Sequence, residues 1–177
     1  MTLPLILLFC VQLTLAQKYK STQSTVSFYS EAPVENIEAI NSKSKSILDL
    51  STGGIVFSIP IKSFIFDKSL MQEHFNEKYL ESDKYPKATF MGVITGFDIS
   101  KEGAQKVKAK GKLNIHGVER EIHQLGEMSF MDNKVTLNHS FKIELKDYKI
   151  KIPKLLWQNI AEIVDVKIFF EYEPYEK

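Results

Sequence analysis

Apolar and polar residues alternate with a period of two along three segments of the chain, residues 106–115, 135–145 and 164–172. A β-strand with one buried and one solvated face produces this alternation, because successive side chains point to opposite sides of the sheet. Sheets with one solvated face are typically antiparallel. The pattern therefore predicts antiparallel strands in all three segments.

Weaker alternation predicts further strands at residues 25–30, 36–41, 46–50, 54–66, 88–99 and 118–125. Turn-forming residues separate many of them, for example His116-Gly117 and Asp132-Asn133-Lys134. About eight or nine strands with short connections either close into a barrel or form a sandwich. Small residues at the inward positions Ala109 and Gly111 favour the barrel, where they leave room for a ligand or mark a bend in the sheet.

One segment departs from the strand pattern and has helical spacing instead. The spacing predicts a helix over residues 69–80, and its apolar positions are Leu70, Met71, Phe75, Tyr79 and Leu80. Asp67 or Ser69 is the expected N-cap, and Pro86 returns the chain to an extended conformation. Residues 149–159 are expected to form a loop or a short helix. The sequence thus predicts an all-β fold, an extended antiparallel barrel of about eight strands with one helix inserted mid-chain.

The N-terminus has the composition of a secretory signal. Residues 3–15 are almost wholly apolar, and Ala16 supplies the small residue that cleavage requires. The apolar run is too short to span a bilayer as a helix of the mature chain. We therefore expect a signal peptide over residues 1–16, a single barrel domain over residues 17–177, and a periplasmic or secreted protein. Cys10, the only cysteine, would leave with the signal; acylation of Cys10 is the alternative, which the bulky Phe9 before it disfavours.

Charge and composition exclude some classes of partner. The chain has 23 Lys and Arg against 22 Asp and Glu, so it lacks the basic surplus of a nucleic-acid-binding protein. There is no Gly-rich phosphate loop and no Gly-x-Ser-x-Gly nucleophile motif. The four histidines lack the spacing of a helical metal site. We expect no cofactor, no metal and no enzymatic activity.

Two motifs resemble those of the YceI-like family. The first is Met-Gln-Glu-His-Phe at residues 71–75, followed by Lys-Tyr-Pro-Lys-Ala-Thr-Phe at residues 84–90. The second is Gly-Lys-Leu-Asn-Ile-His-Gly-Val at residues 111–118. The resemblance extends over roughly residues 24–173. It implies a lipocalin-like antiparallel barrel in the periplasm that holds a polyisoprenoid or a related amphiphile in its apolar interior.

An apolar tube with a polar mouth suits such a ligand, because each buried methylene contributes about 0.8 kcal/mol. The residues expected to line the tube are Phe57, Ile59, Ile61, Phe90, Leu113, Ile115, Leu137, His139, Phe141 and Phe170. The residues expected at the mouth, near a polar head group, are His74, Lys87 and Arg120, with Lys62 and Lys68 as further cations. The same apolar residues would also fill a solid core, and the same cations would also suit an ordinary surface.

Two other functions stay open from the sequence. A structural or interaction module would have a solid barrel core and would bind an envelope component through its outer face, where Phe169 is an apolar residue at a polar position. An enzyme acting inside the barrel would need His139 beside an acid. An exposed strand edge would permit a homodimer.

Overall fold

The computed structural model describes residues 18–31, 36–152 and 161–175, and ten strands and one α-helix lie within them. The strands are β1 (Lys18–Ser30), β2 (Ile37–Asn41), β3 (Lys45–Asp49), β4 (Gly54–Pro60), β5 (Ile65–Phe66), β6 (Lys87–Thr95), β7 (Gly103–Ile115), β8 (Val118–Met131), β9 (Lys134–Glu144) and β10 (Ile163–Pro174). The helix α1 (Ser69–His74) continues into a π-helical turn, Phe75–Tyr79. Single 3₁₀ turns occupy Ile61–Ser63 and Leu145–Tyr148.

The strands close into an antiparallel barrel. Each strand from β6 to β9 pairs with the next along the chain, β4 pairs with β6, and β3 pairs with β4. The first strand closes the ring, since β1 pairs with β10 on one side and with β2 and β3 on the other. β2 and β3 succeed one another along the same edge of β1, so the closed ring has eight strands. The predicted all-β barrel with one helix mid-chain is confirmed.

The bend between β2 and β3 is held by buried polar groups. Asn41 is fully buried and its Nδ2 donates to the Pro60 carbonyl at 2.8 Å. Its Oδ1 accepts from the Lys43 backbone N–H at 2.8 Å and from the Ser44 hydroxyl at 3.2 Å. The Ser24 hydroxyl in turn donates to the Ser44 carbonyl. Because every one of these groups is partnered, the bend is compatible with burial in the core.

Two local predictions were wrong. The expected strand over residues 54–66 is interrupted, because the chain turns through a 3₁₀ segment after Pro60, and the Ile61 N–H donates to the Pro86 carbonyl instead of to a neighbouring strand. The N-cap of α1 is Lys68, with no side-chain cap hydrogen bond, and not Asp67 or Ser69. The backbone N–H groups of the first turn bond back to the Lys68 carbonyl.

Tight turns join the long strands as the sequence predicts. His116 and Gly117 both have positive φ, +53° and +72°, and connect β7 to β8. Asp132 and Asn133 connect β8 to β9 with φ of +50° and +64°. Two central residues with positive φ match the right-handed twist of a two-residue hairpin. The predicted signal peptide, and residues 153–159 of the expected loop or short helix, lie outside the described residues.

Candidate functional site

One half of the barrel interior is filled by aromatic side chains. The Phe57 ring lies 4.8 Å from that of Phe170 and 5.9 Å from that of Phe90, between ring centroids. Tyr172 stacks on Phe170 at 6.1 Å and its hydroxyl donates to the Ser46 hydroxyl at 2.8 Å. Burial raises the pKa of Tyr172 far above its ordinary value, so this phenol stays neutral. We call Phe57, Phe90, Phe170 and Tyr172 the aromatic plug.

The small inward residues make room for this plug. Gly92 and Gly111 face each other on β6 and β7, and a Cβ on either would lie 2.7 Å from Cζ of Phe90. The Phe90 ring therefore occupies the space that the two glycines leave. At this level of the barrel, the glycines serve close packing and leave no space for a ligand.

The other half of the interior is a cavity of about 220 Å³. Its wall consists almost wholly of apolar side chains. The polar side-chain groups at its surface belong to Ser27, Ser30, His74 and Tyr79. Such a surface offers an apolar ligand a favourable environment and a charged group almost none.

Helix α1 and the π-helical turn cover the end of the cavity. Phe75 stacks on Phe28 of β1, with ring centroids 5.4 Å apart. Phe75 also contacts Phe64 and Phe66, at 5.5 and 5.0 Å. Met71, His74, Tyr79 and Leu80 of the same segment line the cavity. The inserted helix thus supplies the roof of the cavity, and the aromatic plug lies at the opposite end.

The residues expected to line the tube divide between the two halves of the barrel. Those that line the cavity are Ile59, Ile61, Leu113, Ile115 and Phe141. Those that lie outside it are Phe57, Phe90, Leu137, His139 and Phe170. The interior is therefore neither the continuous tunnel nor the wholly solid core that the sequence left open.

The residues expected at the mouth do not lie together around the cavity. His74 lines the cavity, whereas Lys87 precedes the inward-facing Ala88 on β6 and points to solvent. Arg120 pairs with Asp147, with 3.2 Å between Nη2 and Oδ2. Lys62 forms an exposed ion pair with Asp83. Of the three residues first expected near a head group, the structure places one, His74, at the cavity.

His139 lies at the border between plug and cavity, and its contacts among the described residues include no acid. One ring nitrogen hydrogen-bonds to the backbone of Leu125, and the buried Nε2 has no partner among the described residues. Its ring stacks on Phe141 at 5.0 Å. Burial lowers the pKa of His139, and the bond to Leu125 opposes this change only in part. The histidine–acid pair that an enzyme would need is not formed at His139.

His116 ties the roof of the cavity to the barrel. Its Nε2 lies 2.8 Å from a carboxylate oxygen of Glu81, directly after the π-helical turn and Leu80. Its Nδ1 lies 3.1 Å from the Tyr148 carbonyl, and Tyr85 packs edge-on against the ring at 4.6 Å. The histidine of the β7–β8 turn thus has a structural role.

Comparison with known protein families gives one match. The model of the YceI-like domain matches residues 17–172. The chain belongs to the YceI-like family. A comparison with curated proteins finds no match.

Solved structures similar to this YceI-like protein share its fold at low sequence identity. A polyisoprenoid-binding domain from Saccharophagus degradans, implicated in plant cell wall breakdown, has a TM-score of 0.76 and 16% identity, over 89% of this chain and 98% of that one. BcnA of Burkholderia cenocepacia has a TM-score of 0.71 and 19% identity, over 84% and 95%. A mutant YceI protein of Campylobacter jejuni has a TM-score of 0.59 and 18% identity, over 83% and 90%.

Several cavity residues of this YceI-like protein were missed by the sequence reasoning. They are Val26, Phe28, Ile37, Phe64, Phe66, Ile143, Leu145, Ile150, Val164, Val166 and Ile168. The alternation in residues 135–145 and 164–172 marks five of the eleven as inward-facing, so for those five the signal was present. Which inward residues border empty space depends on the register and tilt of the strands, which a period of two does not encode.

The described part of the YceI-like chain contains no cluster of three or more His, Cys, Asp or Glu that could hold a metal ion. Within residues 18–31, 36–152 and 161–175, no helix is both long enough and apolar enough to cross a membrane.

Proposed function

We propose that this protein is an exported carrier that holds the apolar chain of an amphiphilic lipid, an isoprenoid by preference, in the barrel cavity. The observation that supports the proposal is the apolar cavity of about 220 Å³ between the helix and the aromatic plug. Burial of methylene groups alone gives such a site substantial affinity, at about 0.8 kcal/mol each. Similarity in fold to a polyisoprenoid-binding domain favours an isoprenoid over a straight acyl chain.

The size of the cavity limits the length of the chain that it holds. An engineered apolar cavity of about 150 Å³ binds benzene, so by proportion the present volume has room for about nine carbon atoms. This corresponds to a short prenyl segment. A longer polyisoprenoid would have to displace the aromatic plug or leave part of its chain outside the barrel.

His74 is the proposed contact of the head group. It lines the cavity next to the roof aromatics, where an imidazole can hydrogen-bond to a hydroxyl or phosphate oxygen. No lysine or arginine is among the side chains that line the cavity, all of which belong to the described residues. We therefore propose a neutral alcohol, or a head group that stays outside the cavity with its charge in water.

The first test is native mass spectrometry of the protein purified from the periplasm of its host, followed by organic extraction of any bound molecule. A stoichiometric prenyl or acyl species is expected. If the protein is empty, geraniol, farnesol and geranylgeraniol are then added as probes. Absence of saturable binding to all three would refute the carrier function.

A pair of adjacent substitutions on β6 locates the binding site. Ala88→Phe places a ring inside the cavity, and Thr89→Phe places the same ring on the outer face. We expect Ala88→Phe to abolish geraniol binding without loss of thermal stability, because the new ring fills empty space. Thr89→Phe should bind as the unmodified protein does. Equal affinities for the two variants would place the ligand elsewhere.

A second candidate function, an interaction module, is supported by one observation. Ile47, Val56 and Met91 are direct cross-strand neighbours on β3, β4 and β6, and all three point outward and are exposed. Such a row of exposed apolar side chains is suited to contact with a second copy of the chain. Sedimentation of the purified protein tests it: a dimer that Met91→Glu converts to monomer would support this function.

A further inference from the structure

The hydrogen-bonded pairing of β8 with β9 covers only part of the two strands. It runs from the Met131–Lys134 pair beside the hairpin turn to the Glu127–Asn138 pair. Beyond that pair, residues 118–126 of β8 are paired with β7 alone, and residues 139–144 of β9 with β10 alone, in the described part of the chain. We call these two facing segments the seam. No backbone ladder joins the two segments of the seam in the described residues, whereas β5, which pairs with β2 alone, also has an unpaired edge.

The cavity lies directly behind the seam. Phe141 and Ile143 of β9 line it, and Leu113 and Ile115 of β7 line it from the other side. β8 lies between those strands in the sheet and is described over its full length, yet none of its side chains borders the cavity. The lining thus passes from β7 to β9 at the level where β8 separates from β9.

Side chains close the seam in place of the backbone ladder. Arg120 of β8 reaches across it to Asp147, in the 3₁₀ turn after β9, with 48% and 35% of these side chains exposed. At the inner end of the seam, the His139 ring bonds to the backbone of Leu125. Ion pairs as exposed as Arg120–Asp147 contribute little to stability. Within the described residues, separation of the two strands would break this ion pair, the His139–Leu125 hydrogen bond and the contact of His116 Nδ1 with the Tyr148 carbonyl.

The helical roof is held by a largely buried histidine side chain and by aromatic packing. The His116 side chain is only 10% exposed and lies 2.8 Å from Glu81, the residue that follows Leu80 at the end of the roof. Phe75 is packed among three other phenylalanine rings. Displacement of the roof would expose all of this apolar surface to water.

On the outer face of the barrel, the β8 side of the seam carries an exposed apolar side chain. Leu125 is 72% exposed, the highest exposed fraction of any large apolar residue described in the structure. It belongs to the unpaired half of β8. A leucine at this position offers an incoming hydrocarbon chain a first contact before it passes between the strands.

We propose that the apolar chain of the ligand enters and leaves the cavity sideways, between β8 and β9 at the seam. The Arg120–Asp147 ion pair helps to hold the seam closed. This inference rests on the proposed carrier function. It concerns the route by which the ligand reaches the cavity, whereas the carrier function concerns binding in the cavity itself. The ligand chemistry that passes such a slot is a single unbranched or methyl-branched hydrocarbon chain, because its head group can stay outside in water.

Covalent tethers distinguish the seam from the roof as the route of entry. In a Cys10→Ser background, Arg120→Cys/Asp147→Cys is cross-linked with a short bifunctional thiol reagent, and the product is verified by mass. Lys62→Cys/Asp83→Cys, cross-linked in the same way, ties the end of the roof to the 3₁₀ turn after β4 and serves as the matched control. Association and release of the apolar fluorophore 1-N-phenylnaphthylamine are followed by stopped flow for both proteins, before and after cross-linking.

We expect the seam tether to slow association and release by about tenfold or more while Kd changes by less than about twofold, because a route was closed and the site was not altered. The roof tether should leave both rates nearly unchanged. Slow exchange with the roof tether, or unchanged rates with the seam tether, would overturn the proposal. If the unmodified protein shows no saturable binding of the fluorophore or of the prenyl alcohols, the carrier function itself has failed.

A pair of surface variants tests the route without cross-linking. Leu125→Ser removes the exposed side chain at the seam, and Met91→Ser removes one of similar exposure, 66%, on β6. Only Leu125→Ser should lower the association rate, by about threefold or more, with thermal stability unchanged in both. Equal association rates in the two variants would contradict a role of Leu125 in ligand entry.

Discussion

At the scale of single residues, Gly111 is closely surrounded by backbone atoms of the neighbouring strand. A Cβ on Gly111 would lie 2.4 Å from the Met91 carbonyl oxygen and 2.5 Å from Cα of Gly92. Backbone atoms of a central strand cannot move aside without breaking the ladder. The glycine is therefore required by its neighbours and not by its own backbone conformation.

Gly111→Ala should accordingly destabilise the barrel. We expect a loss of about 1–3 kcal/mol in the free energy of unfolding, measured by urea denaturation, since overpacked core positions cost this much. Gly126→Ala on β8 is the matched control, because its Cβ would meet its nearest atom, the Asn138 carbonyl oxygen, at 3.4 Å. The control should change stability by less than about 1 kcal/mol. Equal losses at both positions would contradict the steric explanation.

A second residue-scale prediction concerns His139. Burial holds the pKa of its imidazole below the ordinary value of 6.5, so the unfolded chain binds more protons than the folded one below that pH. The stability that neutral His139 contributes is therefore fully present above pH 6.5 and decreases as the pH falls toward the lower pKa of the folded state.

His139→Phe isolates this effect, because phenylalanine can stack on Phe141 and cannot titrate. We expect the free energy of unfolding to fall less steeply for the variant than for the unmodified protein between about pH 7 and pH 5. Urea titrations at several pH values measure both curves. Parallel curves would show that His139 does not couple folding to protons.

At the scale of elements, the bend between β2 and β3 depends on one asparagine. Asn41 makes three hydrogen bonds inside the core, to the Pro60 carbonyl, the Lys43 N–H and the Ser44 hydroxyl. Asn41→Ala should therefore lower the free energy of unfolding by about 3 kcal/mol, since each buried polar partner left unsatisfied destabilises the fold by about 1–3 kcal/mol. Asn138→Ala on the exposed face of β9 should be nearly neutral. Similar thermal shifts in the two variants would refute the role of Asn41.

The elements also show how far the sequence predicts this fold. β7, β9 and β10 were correctly predicted because each keeps one solvated face, and the paired positive-φ turns were predicted from Gly, Asn and Asp. The break at Pro60 was missed because apolar residues continue on both sides of the 3₁₀ turn, with Phe57 and Ile59 before it and Phe64 after it. The seam was missed because β8 and β9 alternate in the same way whether or not they are paired. Alternation reports the face of a strand and carries no information about its partner.

At the scale of the whole molecule, the interior divides into a packed half and a hollow half. The aromatic plug occupies one side. The cavity begins at the adjacent pair of inward-facing side chains, which are Ile59, two residues after Phe57 on β4, and Ile168, two residues before Phe170 on β10. Sequence reasoning treated all these side chains as one lining, because each points inward. Only the closed barrel determines which of them meet in the centre, and this sets the capacity of the cavity.

This division predicts that the plug sets the length of ligand chain that the protein prefers. Phe57 lies between Phe90 and Phe170, so Phe57→Ala should join new space to the cavity beyond Ile59. We expect the unmodified protein to bind geraniol, and to bind farnesol and geranylgeraniol with little additional affinity. The variant should prefer the longer alcohols, because further methylenes become buried at about 0.8 kcal/mol each. Competition titrations with the three alcohols measure the order of affinities.

Two controls separate chain capacity from damage to the fold. Phe57→Ala is expected to lower stability by about 3–5 kcal/mol, and bound geranylgeraniol should restore part of that loss, since a ligand that fills a cavity stabilises the folded state. Phe57→Leu keeps most of the plug volume and should retain the preference for geraniol. If Phe57→Ala folds but keeps the original order of affinities, the plug does not limit the ligand. The chain would then have to extend from the cavity through the roof or the seam.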